Sequence, residues 1–133
     1  MKKILALFLV SLSFILSSCS GASRTIDLTI SDYHFEPDTF TVPAGEEITV
    51  NIENAGFVSH QFVIFKFGKD AGGKIGPEDH ENIYWRFEVL PGHSDSGTFT
   101  APSEPGEYYV TCGIVGHLEA GMFGTLIVVD QDS

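Results

Sequence analysis

Apolar stretches that alternate residue by residue with polar ones, each closed by a turn signal, constrain this chain to β-structure. Ile48, Val50 and Ile52 alternate with Thr49, Asn51 and Glu53, and Ile83, Trp85, Phe87 and Val89 alternate with Tyr84, Arg86 and Glu88. Successive side chains of a strand point to opposite faces, so each stretch has one face for a core and one for water. Further strands are predicted at Thr25 to Ile30, Phe40 to Val42, His60 to Phe65, Ser96 to Thr100, Glu107 to Cys112 and Thr125 to Val129. Pro43-Ala44-Gly45, Pro91-Gly92 and Pro105-Gly106 stand where the chain must reverse. No helical period competes, so the expected fold is all-β, a Greek-key β-sandwich. The longest irregular stretch, Lys66 to Asn82, is rich in glycine and charge and reads as an exposed excursion between strands.

The N-terminus has a different character. Lys2 and Lys3 precede an apolar run, Ile4 to Leu16, interrupted only by Ser11 and Ser13. It is short for a bilayer span and suits an export signal. Leu16-Ser17-Ser18-Cys19 follows and resembles the lipobox of bacterial lipoproteins, in which cleavage falls before a cysteine that is then acylated. The resemblance implies a signal peptide over residues 1–18, a lipidated tether over 19–23 beginning at Cys19, and one domain over 24–133. A plain secretory signal with an incidental cysteine is the alternative, and both readings export the protein.

Export permits disulfides, yet Cys19 and Cys112 are the only cysteines. A lipid on Cys19 leaves Cys112 without a partner, as a buried inert thiol or as a group with chemistry. The formal charge of −11, or −13 once Lys2 and Lys3 leave with the signal, argues against nucleic acid as a partner. It suits either steering toward a cationic protein or simple solubility.

The chemistry concentrates in Cys112-Gly113-Ile114-Val115-Gly116-His117-Leu118-Glu119-Ala120-Gly121-Met122, where four residues separate Cys112 from His117 and four separate His117 from Met122. A thiolate, an imidazole and a thioether on one loop form a soft ligand set that selects copper over calcium or magnesium. Met122 is the only methionine after the signal and stands between two apolar or small neighbours in a glycine-rich loop, an odd choice for packing alone. A fourth ligand can come from His60, which opens the apolar run Phe62-Val63-Ile64-Phe65 and which a sandwich can bring beside the end of the strand leading to Cys112. Two histidines, one cysteine and a weak axial methionine make up a blue-copper site. Zinc fits the same ligands, but the Irving–Williams order favours copper(II).

These residues resemble the cupredoxins, the plastocyanin, azurin and rusticyanin group. Phe35-Glu36-Pro37 through Val42-Pro43-Ala44-Gly45-Glu46 to His60-Gln61-Phe62 looks like the first half of that family. Pro105-Gly106-Glu107-Tyr108 to Met122-Phe123-Gly124 looks like the second. The ligand spacing is most like that of rusticyanin. The resemblance implies one type 1 copper ion held by His60, Cys112, His117 and Met122. Gln61 departs from the asparagine or serine that many relatives place after the first histidine. The second loop cysteine of a copper-A site and the His-rich motifs of a multicopper oxidase are both missing from the sequence. His34, His80 and His93 fall in predicted turns or loops and read as solvated side chains.

The expected function is non-enzymatic, one-electron transfer at the outer face of a bacterial membrane. The protein would be a monomer, lipid-anchored toward the periplasm or cell exterior, that exchanges electrons with redox partner proteins. Ile114, Val115 and Leu118 would surround the edge of His117 as the electron-transfer surface. Copper handling in the envelope is the alternative, and a degenerate interaction domain a third reading.

Overall fold

The structure, a computed structural model, describes residues 21–131. The expected signal peptide over residues 1–18 and the expected lipidation site Cys19 lie outside the described residues. Among the described residues nine strands form two sheets: β1 (Thr25–Ser31), β2 (His34–Glu36), β3 (Thr39–Pro43), β4 (Glu47–Asn54), β5 (His60–Phe65), β6 (Ile83–Val89), β7 (Ser94–Thr100), β8 (Gly106–Thr111) and β9 (Phe123–Val129). One sheet has the order β2-β1-β4-β7 and the other β3-β9-β8-β5-β6. β1 runs parallel to β4 and β3 parallel to β9, and the remaining pairs are antiparallel. The chain passes between sheets at β2–β3, β3–β4, β4–β5, β6–β7 and β7–β8.

Alternation in the sequence becomes alternation of burial. In β4, Ile48, Val50 and Ile52 are buried and Thr49 and Asn51 are half-buried on the other face. They meet Ile26, Leu28 and Ile30 of β1, Phe62 and Ile64 of β5, and Leu126 and Val128 of β9 in one core between the sheets. Each such side chain taken fully from water contributes about 1.5–3 kcal/mol before the entropy of ordering it is set against that gain.

β5 breaks the alternation, because Phe62, Val63, Ile64 and Phe65 are all buried. A strand buried on both faces needs a cover on its second face. The segment 66–82 provides it: Ala71 and Ile75 join Val63, Phe65 and Leu118 in a second apolar cluster, flanked by Ile83 and Tyr109. The expectation of an exposed excursion is therefore corrected. Lysines and glycines keep much of this segment in water, but its apolar residues fold inward. It ends in a 3-10 helix, Pro77–Asn82, where the half-turn is fixed by the Asp79 carboxylate accepting the Gly76 N–H at 2.8 Å. The short strand β2 is the other element the alternation did not indicate, since three residues hold too little period to read. His34 accordingly starts a strand and does not sit in a turn, although it is exposed as expected.

Candidate metal centre

Strand register brings distant residues to one end of the sandwich. Antiparallel pairing of Val63 with Thr111 and Ile64 with Val110 sets the start of β5 beside the end of β8, so His60 and Cys112 meet across the sheet. The ends of β1 and β4 and the start of β7 lie at the same end, because β1 parallels β4 and Glu53 pairs with Ser94. Asn54 pins these loops together. Its buried amide donates to the carbonyls of Val58 at 2.9 Å and Val89 at 3.0 Å, and its carbonyl accepts the Gly56 N–H. A buried amide with all these partners rigidifies its surroundings.

The loop from Cys112 to Met122 is folded on itself by backbone bonds. His117 N–H donates to the Ile114 carbonyl, Met122 N–H to the His117 carbonyl, and Cys112 N–H to the Met122 carbonyl, at 3.1, 3.1 and 3.2 Å. The Thr111 hydroxyl adds a bond to the same Met122 carbonyl at 2.9 Å. Such tight reversals require left-handed backbone at Gly116 (φ 91°) and Gly121 (φ 98°), which a Cβ would disfavour.

Three donor atoms converge as a result. Cys112 Sγ lies 3.3 Å from His117 Nδ1 and 3.8 Å from His60 Nδ1, and the two Nδ1 atoms are 3.2 Å apart. The centre of a triangle with those three sides is about 2.0 Å from each corner. That distance matches a metal–nitrogen bond of about 2.0–2.1 Å and falls slightly short of a metal–sulfur bond of about 2.3 Å. The donor set therefore fits one small, thiophilic ion. Cys112, His60 and Met122 are fully buried and His117 nearly so. The Met122 side chain packs in the same core as Cys112.

Burial acts on the proton affinity of these atoms in opposite directions. Burial pushes the Cys112 thiol above its ordinary range, although the Gln61 N–H, 3.4 Å from Sγ, pulls the other way. Burial, helped by His60 alongside, holds His117 below the ordinary imidazole range and leaves its lone pair available near neutral pH. The hydrogen bond from His60 holds the Asp32 carboxyl below its usual range. Gln61, the departure noted in the sequence, ties the ligand segments through its backbone while its side-chain amide donates to Glu88 at 2.9 Å.

Of the proposed electron-transfer surface, Val115 is 71% exposed and Ile114 is partly buried against the core. Leu118, at 6% exposure, is a core residue of the second cluster and not part of a docking patch. It clusters with Ala71 and Ile75 of segment 66–82. Tyr33 stands against His117 instead, edge-on to its ring with centroids 5.0 Å apart. His80 and His93 stay exposed and outside the cluster of donors. Sequence reasoning missed Asp32, Tyr33 and Asn54, since Asp, Tyr and Asn near strand ends carry no signal that separates them from ordinary turn residues.

The comparisons agree with this geometry. The copper-resistant cuproprotein CopI of Rubrivivax gelatinosus is 29% identical over 121 residues, covering 80% of this chain and 67% of that protein. Across other curated relatives the chain spans smaller shares, down to 24% of their length. The crystal structure of dithionite-reduced auracyanin from Roseiflexus castenholzii superposes with a TM-score of 0.70 at 34% identity, over 82% of this chain and 99% of that one. Reduced rusticyanin gives 0.54 at 26% identity, over 82% of each chain. The model of the family described as "Cupredoxin-like domain" matches residues 3–128. With two curled sheets, a His–Cys–His cluster at the end of the sandwich and that match over nearly its whole length, the chain belongs to the cupredoxin-like domain family.

Proposed function

We propose that the protein is a one-electron carrier that holds a single type 1 copper ion through His60, Cys112 and His117, with Met122 as the weak axial ligand. The observation that carries this reading is the inward-facing triangle of two Nδ1 atoms and one Sγ, sized for a metal and sealed from water. When bound, copper supplies exchange of one electron between copper(II) and copper(I). The chain supplies everything else. β5 and β8 fix two ligands on a rigid sheet, the loop bonds fix the third, and the fully buried surroundings exclude water that would otherwise reorganise with each charge change. The Gln61 N–H aims a dipole at the sulfur.

Exposed apolar side chains gather at this end of the molecule. Phe57 is 90% exposed, and Val58, Tyr33 and Val115 are exposed as well. They form the surface on which a redox partner would dock, and the acidity of the chain favours a cationic one. The N-terminal pattern supports export, with residues 1–18 removed, Cys19 acylated, residues 19–23 as tether and the domain over 24–133 held as a monomer at the outer face of a membrane. Copper handling is the second reading, favoured by the likeness to a copper-resistant cuproprotein. A single methionine after the leader supports the carrier, because capture and delivery proteins display several soft ligands.

Copper(II) titration of the protein tests the assignment. The wild type is expected to take up one equivalent and develop an intense visible band, which Cys112→Ser eliminates. A serine variant that keeps the band would refute the thiolate ligand.

A further inference from the structure

The two histidines at the centre are both touched from outside by one short turn. β1 and β2 are joined by two residues, because Ser31 pairs with His34. Those two residues are Asp32 and Tyr33. Asp32 Oδ1 lies 3.2 Å from His60 Nε2, and the Tyr33 ring stands edge-on to the His117 ring.

We propose that the Asp32-Tyr33 turn is an outer clip of the metal centre, in which Asp32 sets the tautomer of His60 and lends it negative charge, and Tyr33 holds the ring of His117. This rests on the copper-binding reading, except for the claim about the tautomer, which concerns the protein's own atoms.

A carboxylate only accepts, so the hydrogen bond requires Nε2 of His60 to carry the proton. A neutral imidazole protonated at Nε2 has its lone pair on Nδ1, the nitrogen that faces Cys112 and His117. Asp32 thus turns the ligating nitrogen inward before any metal arrives. The carboxylate is itself held: both its oxygens lie within 3.3 Å of the Phe57 N–H. Gly56 makes room for it, because a Cβ there would come within 2.2 Å of Asp32 Oδ1. A carboxylate bonded to a ligand imidazole raises the ligand's basicity and favours the more highly charged ion, copper(II).

Tyr33 has φ 86° and is the one described non-glycine residue with positive φ. A bulky residue pays for that backbone in stability. What it gains is its placement against His117, the ligand carried by a loop and not by a strand.

Four variants of the full chain in detergent test the clip. Nitrogen-detected NMR of the metal-free protein should find His60 protonated at Nε2. Asp32→Ala should give a mixture of tautomers, and Gly56→Ala, which displaces the carboxylate without removing it, should move in the same direction. Asp32→Asn keeps the shape and removes the charge. It should lower copper(II) affinity about tenfold or more relative to copper(I), raising the reduction potential by about 59 mV per tenfold. Tyr33→Gly should raise the unfolding midpoint of the metal-free protein while speeding copper release. A wild-type His60 protonated at Nδ1, or an unchanged potential and copper(II) affinity in Asp32→Asn, would overturn the role of Asp32. Unchanged copper release in Tyr33→Gly would overturn that of Tyr33. Failure of the wild type to bind copper at all would instead refute the metal reading and leave the tautomer result standing.

Discussion

The two faces of β5 rest on two different cores. On one face Phe62 and Ile64 enter the large cluster between the sheets, which also holds Cys112 and Met122. On the other, Val63 and Phe65 meet a small cluster closed by Ala71 and Ile75 from segment 66–82 and by Leu118 from the ligand loop. The first is framed by paired strands and the second by an irregular cover. The metal centre stands at their seam: its cysteine and methionine are anchored in the large core, while the loop bearing His117 is tied down through Leu118 to the small one. The difference teaches that fold stability and ligand placement draw on separable sets of contacts.

Truncation should separate them. Phe62→Ala removes a fully buried ring that packs edge-on against Phe35 and Phe40, and is expected to cost about 3–5 kcal/mol in urea unfolding of the metal-free protein. Leu118→Ala is expected to cost less, about 2 kcal/mol, since its cluster can relax toward water. Its copper release should nevertheless quicken more than that of Phe62→Ala at matched stability, because Leu118 adjoins His117. Equal effects of the two on copper release would merge the cores into one unit and break the comparison.

A smaller effect concerns protons. The Cys112 thiol, pushed up by burial, must lose its proton when a metal binds, so apparent copper(II) affinity is expected to fall about tenfold for each pH unit of acidification. His117 is held below the ordinary imidazole range, so its own protonation should add to the fall at pH values below that range. Competition titrations between neutral and acidic pH would show it. A His117 ring that titrates already near neutral pH in NMR of the metal-free protein would mean that burial does not depress it.

Much of this was legible in the residues. Alternation at Ile48 to Glu53 and Ile83 to Val89 located β4 and β6, and the pair of four-residue spacings marked Cys112, His117 and Met122 before any geometry was available. The continuous run Phe62-Val63-Ile64-Phe65 marked a strand but not its burial on both faces, because its cover lies in a segment rich in glycine and lysine, a composition that reads as solvated. Leu118 was misjudged for the same reason, since its burial depends on that cover. Asp32 was invisible because its contact with His60 spans twenty-eight positions and passes through an ordinary turn.

The central claim is that the ligands are held so firmly that an electron enters and leaves without rearrangement. Cyclic voltammetry of the copper-loaded protein tests it most directly. A fast, reversible one-electron wave with copper retained through repeated cycles is the expected result, whereas an irreversible wave with loss of metal on reduction would contradict the account and favour copper handling.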